Sequence, residues 1–444
     1  MSLVMSRKNS VTKNAFWIIS CRIIQAILGL VISMISARYL GPSNYGLINY
    51  AASIVAFVLP IVQLGFRSTL VQEIIDNPQK EGEVLGTSLV FSVISSIFCA
   101  FGVCSFVYFT SAGETETVIV CALYSLSLIF QATEMIQYWF QAKLVSHYMS
   151  LTGLGAYVLV SIYRIYLLIT EKSIYWFVVS QALDYFIISL VLLIIYMKLS
   201  SQKLTISVKR GLRMLDKSKY FIVSSMMVTI FAQTDKIMLK MILGDETVGI
   251  YSAAVTCAGM SSFVFSAIID SSRPAVFESK KESEEKYQNC LKKCYSVIIY
   301  LSLFQSLVFT LMSKLIISVL YGEAYSSATN VLRLVVWYTT FAYIGPIRNM
   351  WILAENKQRY LWIINLSGAV VNIILNLVLI PLLGVMGAAL ASLLTQFFTN
   401  VLIGYIIRPI NYNNRLMMQA LNPKLFIKYL MLFLTKIRKG KNNV

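Results

Sequence analysis

Eleven charged residues lie within long apolar runs of this chain: Arg22, Glu134, Arg164, Asp184, Asp235, Lys236, Lys240, Asp270, Lys314, Arg333 and Arg348, with Asp270 and Arg333 at run ends where interface anchoring is the expected role. A charge at the centre of a bilayer costs about 2.5–3.5 kcal/mol on insertion scales, so such residues normally face a bundle interior or a wet cavity. Each is therefore a candidate for contact with a polar ligand. Lys236 and Lys240 are i, i+4 neighbours on one helix face. Two cations there make a place for a diphosphate, although Lys240 is close enough to a membrane surface to snorkel. Asp235 points about 100° away from Lys236. Glu134 belongs to a line of Gln131, Glu134, Gln137 or Tyr138, and Gln141. A carboxylate among amides and a phenol suits sugar hydroxyls, and it equally suits a polar seam between helices. Arg22 falls at a similar depth and could pair with Glu134. Arg164 and Asp184 read either as a packing ion pair between neighbouring helices or as cavity lining. In the second reading Arg164 meets phosphate, and Asp184 balances it or couples to an ion. Arg348 follows Pro346 by two residues, which makes it an entrance cation beside a kink. Gly345-Pro346 and Pro60 are hinge candidates. Tyr138 and Trp139 could stack on a sugar ring.

Other chemistries are excluded by what the chain lacks. There is one histidine, His147, so a multi-histidine metal site is ruled out and a histidine-centred triad is disfavoured. The seven cysteines include a C-x3-C pair, Cys290 and Cys294, without the further ligands of a zinc site. No cofactor is expected. The net charge of +18 comes from basic residues between apolar runs, which is the mark of membrane topology and not of nucleic-acid binding.

The elements that must position these residues are transmembrane helices. Of 444 residues, 57 % are hydrophobic and only 13 % charged, too few charges for a solvated soluble surface. A spanning helix needs about 20 apolar residues. Twelve runs meet this, roughly 14–37, 46–66, 86–110, 117–141, 151–169, 174–196, 220–241, 249–272, 296–318, 330–352, 360–382 and 384–407. With the N-terminus inside, 29 basic residues fall in inside segments and only Arg38 and Lys172 fall outside. Both termini are therefore expected in the cytoplasm, with the first helix retained and not cleaved as a signal. The expected fold is an all-α polytopic integral membrane protein. It comprises a cytoplasmic N-terminus (1–13), a six-helix bundle (14–196), a basic cytoplasmic linker (197–219), a second six-helix bundle (220–407) and a basic cytoplasmic tail (408–444). The stretch 425–434 reads as an amphipathic surface helix.

A repeat crosses the linker. Leu40-Gly41-Pro42-Ser43-Asn44-Tyr45-Gly46-Leu47 and Leu243-Gly244-Asp245-Glu246-Thr247-Val248-Gly249-Ile250 share the pattern L-G-x4-G-aliphatic. Each joins the first two helices of its half, so the repeats are parallel. Leu383-Gly384-Val385-Met386-Gly387 is a shorter relative.

Lys13-Asn14, Ala37 to Pro42 and Tyr45-Gly46 resemble the opening signature of bacterial polysaccharide-repeat-unit flippases. Thr234-Asp235-Lys236 followed by Gly249 to Ala254 resembles the signature of their second half. Arg273-Pro274, Tyr321-Gly322, Asn372, Asn376 and Gly384 to Ala389 continue the similarity. The resemblance implies a member of the multidrug/oligosaccharidyl-lipid/polysaccharide superfamily, with two six-helix bundles around a central cavity. It implies a non-enzymatic flippase of the bacterial cytoplasmic membrane. Such a protein moves undecaprenyl-diphosphate-linked oligosaccharide from the inner to the outer leaflet by alternating access, for O-antigen or capsule synthesis. The partners implied are that lipid-linked substrate, the bilayer and polysaccharide polymerase machinery. On this reading Arg22, Arg164, Lys236 and Arg348 offset the diphosphate. Glu134, Asp184 and Asp235 contact sugars, neutralise empty-state cations, or carry a coupling H+ or Na+. A drug or cation antiporter of the same superfamily is the first alternative, disfavoured by the excess of buried bases over acids. A membrane polymerase or glycosyltransferase is the second, disfavoured by outside loops that are short and nearly uncharged.

Overall fold

The computed structural model describes residues 2–111 and 113–427, and their side chains except those of 2–20, 22 and 68. Among the described residues the regular structure is entirely helical. The helices are α1 (Ser2–Val62), α2 (Leu70–Asp76), α3 (Glu81–Thr110), α4 (Thr115–Thr133), α5 (Gln137–Ala142), α6 (His147–Ile169), α7 (Ile174–Leu199), α8 (Val208–Leu243), α9 (Asp245–Gly259), α10 (Ser262–Glu282), α11 (Glu284–Leu320), α12 (Ala328–Ala354), α13 (Leu361–Leu383), α14 (Val385–Phe397), α15 (Ile403–Ile406) and α16 (Asn411–Ala420).

By length and composition, nine helices among the described residues can cross a membrane, or ten if the bent pair α9–α10 forms one span. The twelve expected runs are all helical, and the lower number has two physical sources. α1 carries two of them across a break at Gly41. α12 is long enough, but it is too polar to qualify.

The L-G pattern acquires a backbone meaning. Gly41 adopts φ 74°, ψ 170°, and Gly244 adopts φ 91°, ψ −179°. This is a region that essentially only glycine occupies. Each glycine ends one helix and lets the next begin at the following residue, Pro42 or Asp245. Gly322 (φ 85°, ψ −177°) and Gly384 (φ 61°, ψ −139°) turn the chain similarly before Glu323 and Val385.

Two compact units are present, Met1–Gly249 and Ile250–Val444. In the first, α1 packs on α4, α6 and α8, and α4 packs on α3 and α7. Its core includes Phe66, Leu70, Trp139, Phe140 and Tyr196, with Trp139 edge-on to both Phe140 and Tyr196. The basic segment between α7 and α8 is tied down along α3. Gln202 Nε2 donates to the Pro78 carbonyl (2.8 Å), the Gly82 amide donates to Gln202 Oε1 (3.1 Å), and the Ser207 amide donates to Thr87 Oγ1 (3.0 Å). Ion pairs flank it: Arg210–Glu83 (2.9 Å), Lys217–Glu73 (3.0 Å) and Lys143–Glu81 (2.6 Å).

In the second unit α11 packs along α12, and α12 and α13 pack on α14. Tyr287, Tyr295, Trp351 and Ile364 are core residues. After α14 the chain makes one π-helical turn, Phe398–Leu402. Such a turn leaves carbonyls without a partner in the helix. Asn414 Nδ2 donates to the Val401 carbonyl (2.6 Å), and Arg348 Nη1 donates to that of Thr399. The start of the tail packs on α11, where Phe426 stacks against Tyr300 (4.6 Å between ring centres). Most of the surface helix expected at 425–434 lies outside the described residues.

Candidate functional site

The polar residues of α4 to α7 gather inside the first unit. α4 does not continue as a regular helix through the polar line. It tightens into a 3-10 turn, Glu134–Ile136, before α5. Mid-helix 3-10 geometry often marks a functional or strained position. The break keeps Glu134 and Gln137 on one cavity wall and sends Gln141 to the surface. Gln131 is buried and donates from Nε2 to Ser127 Oγ (3.1 Å).

That cavity has a volume of about 200 Å3. Gln25 of α1, Glu134, Gln137, Ser150 and Gly153 of α6, and Ile188 of α7 line it. Amides, a hydroxyl and a carboxylate facing an apolar wall are what a sugar or a hydrated cation would meet.

Arg164 and Asp184 stand beside this group but not as a direct pair. Arg164 Nε donates to Ser180 Oγ (2.8 Å) and Nη2 donates to Gln181 Oε1 (2.8 Å). No ion pair joins Arg164 to Asp184 among the described residues. The two remain electrostatic neighbours, as do Asp184 and Glu134. One Asp184 carboxylate oxygen is buried without a hydrogen-bond partner among the described residues. Tyr124, Tyr157 and Tyr185 complete the surroundings of Arg164. The assembly is thus one guanidinium, two carboxylates, several amides and three phenols.

A residue that sequence reasoning counted only as a loop cation joins it. Arg67 is an electrostatic neighbour of Glu134 and Tyr138. It also lines a second hollow of about 290 Å3 with Pro60, Gln63, Ser224, Ser225 and Thr229. A turn with left-handed residues, Leu64 (φ 50°) and Gly65 (φ 65°), carries it there. The only sequence signal for it was the glycine before Phe66.

The remaining candidates lie elsewhere. The side chain of Arg22 is outside the described residues, so its pairing with Glu134 is too. Asp235 is buried on α8 and Lys236 is half-buried. No hydrogen bond or ion pair ties Lys236 to the Arg164 cluster among the described residues. Lys240 is not an uncompensated cation. Its ammonium lies 2.6 Å from Glu114 and 2.6 Å from Asp245, with the side chain only 7 % exposed. Glu114 comes from the α3–α4 turn, 126 residues away in sequence, a proximity that no local pattern reveals. Arg348 belongs to the second unit. It is buried and bonded to the π-turn, with Nη2 donating to Asn349 Oδ1 (3.2 Å) and Nε unpartnered among the described residues. Tyr138 and Trp139 are buried in the core.

Comparison with known proteins adds a sequence and a fold likeness. A family described as polysaccharide biosynthesis protein matches residues 11–280. The chain is 21 % identical over 392 residues to the capsular polysaccharide biosynthesis protein CapF of Staphylococcus aureus, covering 87 % of this chain and 96 % of that one. Its fold is similar to that of the lipid II flippase MurJ in an inward closed conformation. The TM-score is 0.71 at 15 % identity, over 93 % of this chain and 92 % of that one. It is also similar to an inward-facing multidrug resistance MATE family transporter of the MOP superfamily. There the TM-score is 0.65 at 12 % identity, over 89 % and 95 % of the two chains.

Proposed function

The chain belongs to the polysaccharide biosynthesis protein family, and on that premise we propose that it is the flippase of a surface-polysaccharide pathway. It moves undecaprenyl-diphosphate-linked repeat units from the inner to the outer leaflet of a bacterial cytoplasmic membrane by alternating access. The observation that carries this reading is the polar cluster of the first unit, Glu134, Gln137, Arg164, Gln181 and Asp184, set inside membrane-spanning helices. Burying so many polar groups costs several kcal/mol unless they meet partners. A hydroxyl-rich oligosaccharide supplies such partners during passage. Arg164 and Arg67 would meet phosphate oxygens, since a guanidinium presents paired donors suited to them. Lys236 and Arg22 would add charge. Asp235 and Asp184 would balance these cations when no substrate is bound or carry a coupling H+ or Na+. Arg348 serves the same chemistry only if its π-turn contacts open. Both termini would lie in the cytoplasm, and a polymerase would receive the flipped unit.

Lys240, Glu114 and Asp245 lie at the turns that the charge pattern puts outside. In this reading their ion pairs close the outer face and part when the transporter opens outward.

The Glu134–Asp184 neighbourhood favours one alternative, a cation antiporter of the same superfamily, because two carboxylates are what a cationic drug would seek. Deleting the gene and following the leaflet position of the lipid-linked repeat unit decides between them. Repeat units trapped inside, restored to export by the parent gene and not by Arg164→Gln, are the expected result. Normal surface polymer with altered drug tolerance overturns the flippase reading.

A further inference from the structure

The hairpin between α11 and α12 holds a hollow that the proposed transport path does not use. Its volume is about 310 Å3. Lys314 lines it from α11 and Arg333 from α12, with Glu323 from the connecting turn. At 1.5 Å per residue, Lys314 lies about 9 Å below the end of α11 and Arg333 about 8 Å below the start of α12. The two cations are therefore level on adjacent antiparallel helices, about two turns below the segment that joins them. Arg333 is held in place, with Nε donating to Ser313 Oγ (2.9 Å) and Nη1 to Asn330 Oδ1 (3.2 Å). Lys314 makes no ion pair among the described residues.

An apolar track leads to this hollow. Phe304, Leu307 and Leu311 are 66 %, 52 % and 74 % exposed. With Lys314 they follow i, i+3, i+7, i+10 spacing, so they form one stripe about 15 Å long down α11. A polar head above an apolar stripe of that length is the outline of a lipid.

We propose that Lys314 and Arg333 hold the phosphate of a membrane glycerophospholipid whose acyl chain lies along Phe304, Leu307 and Leu311. Two cations and one carboxylate leave a single positive charge, which complements a phosphodiester and falls short of a diphosphate. Ser318, Thr329 and Asn330 are placed to bond headgroup hydroxyls. Such a lipid would be a resident of the second unit, distinct from the transported molecule.

The test uses the full-length protein in detergent and native mass spectrometry with phosphatidylglycerol, phosphatidylcholine and undecaprenyl diphosphate. The parent should bind phosphatidylglycerol in preference to phosphatidylcholine. The double variant Lys314→Gln/Arg333→Gln should bind phosphatidylglycerol about tenfold more weakly, a loss of about 1.4 kcal/mol. The swap Lys314→Arg/Arg333→Lys should retain it, which separates lost charge from lost folding. Undecaprenyl diphosphate should bind parent and double variant equally. Equal retention of phosphatidylglycerol by parent and double variant overturns the proposal. So does a loss confined to undecaprenyl diphosphate, which would make the hollow a station of the transported lipid.

Discussion

Gly46 packs against the carbonyl oxygen of Asp245 so closely that a side chain at Gly46 has no room, and Gly249 packs in the same way against the carbonyl of Pro42. The relationship is reciprocal. Pro42 and Asp245 hold equivalent places in the two L-G-x4-G motifs, as do Gly46 and Gly249. The repeat read along the sequence is thus a pseudo-symmetric contact in space, in which each motif supplies a glycine to the backbone of the other.

Gly46→Ala and Gly249→Ala should each destabilise the protein, because the obstacle is backbone and cannot rotate away. Overpacking of this kind costs about 1–3 kcal/mol. Thermal unfolding of the purified protein in detergent checks it. Gly155→Ala, where a β-carbon meets open space, is the control and should leave stability near that of the parent. Equal behaviour of all three would mean that the contact is not held in solution.

The two ion pairs of Lys240 should differ in strength. The Asp245 side chain is 21 % exposed and that of Glu114 is 57 % exposed. Screening limits an exposed pair to about 1 kcal/mol or less. Double-mutant cycles on thermal stability should give a larger coupling for Lys240 with Asp245 than for Lys240 with Glu114. The reverse order would show that the exposed pair is the one that closes the turn.

Acid should weaken the Glu114 contact in one direction only. The hydrogen bond from Lys240 holds the Glu114 carboxyl below its ordinary range. A carboxylate with a depressed folded value stabilises fully above its unfolded pKa, about 4.3, and the contribution disappears as pH falls through the lower folded value. The difference in stability between parent and Glu114→Gln should be constant from neutral pH to about 5 and should shrink below about 4. A difference that shrinks near neutrality would be incompatible with this pairing.

Arg348→Gln should cost about 1–3 kcal/mol by leaving the Thr399 carbonyl buried without its donor. The drop should appear in thermal stability before any transport assay. Parent-like stability with lost export would move Arg348 from a support of the π-turn to a contact of the transported headgroup.

Arg67→Gln should lower export at least tenfold while leaving expression unchanged, since Arg67 lines a hollow and is an electrostatic neighbour of Glu134. Quantifying surface polymer against protein level reads this directly. Full export would remove Arg67 from the phosphate path.

Much was legible in the residue order because membrane insertion is a local, one-dimensional constraint. Runs of apolar residues became helices, and Gly41 and Gly244 became the turns their motif announced. Of the polar line, Glu134 and Gln137 share a cavity wall, whereas Gln131 is buried against Ser127 and Gln141 is exposed. Distance along the chain hid the rest. Lys240 looked like a free cation because Glu114 is remote in sequence, and Arg67 looked like topology charge because a left-handed turn brings it back toward Glu134. Arg164 pairs with Ser180 and Gln181, not with the aspartate, since rotamer and helix rotation decide between neighbours one turn apart.

Periodicity, charge bias and glycine placement by themselves determined a polytopic all-helical protein, because hydrophobicity and backbone sterics act residue by residue. Only the tertiary structure decided which buried charges are compensated, where a π-turn consumes Arg348, and that two motifs 203 residues apart in numbering lock glycine to carbonyl. Those outcomes depend on which helices meet and at what rotation, and packing chooses that from the whole chain at once.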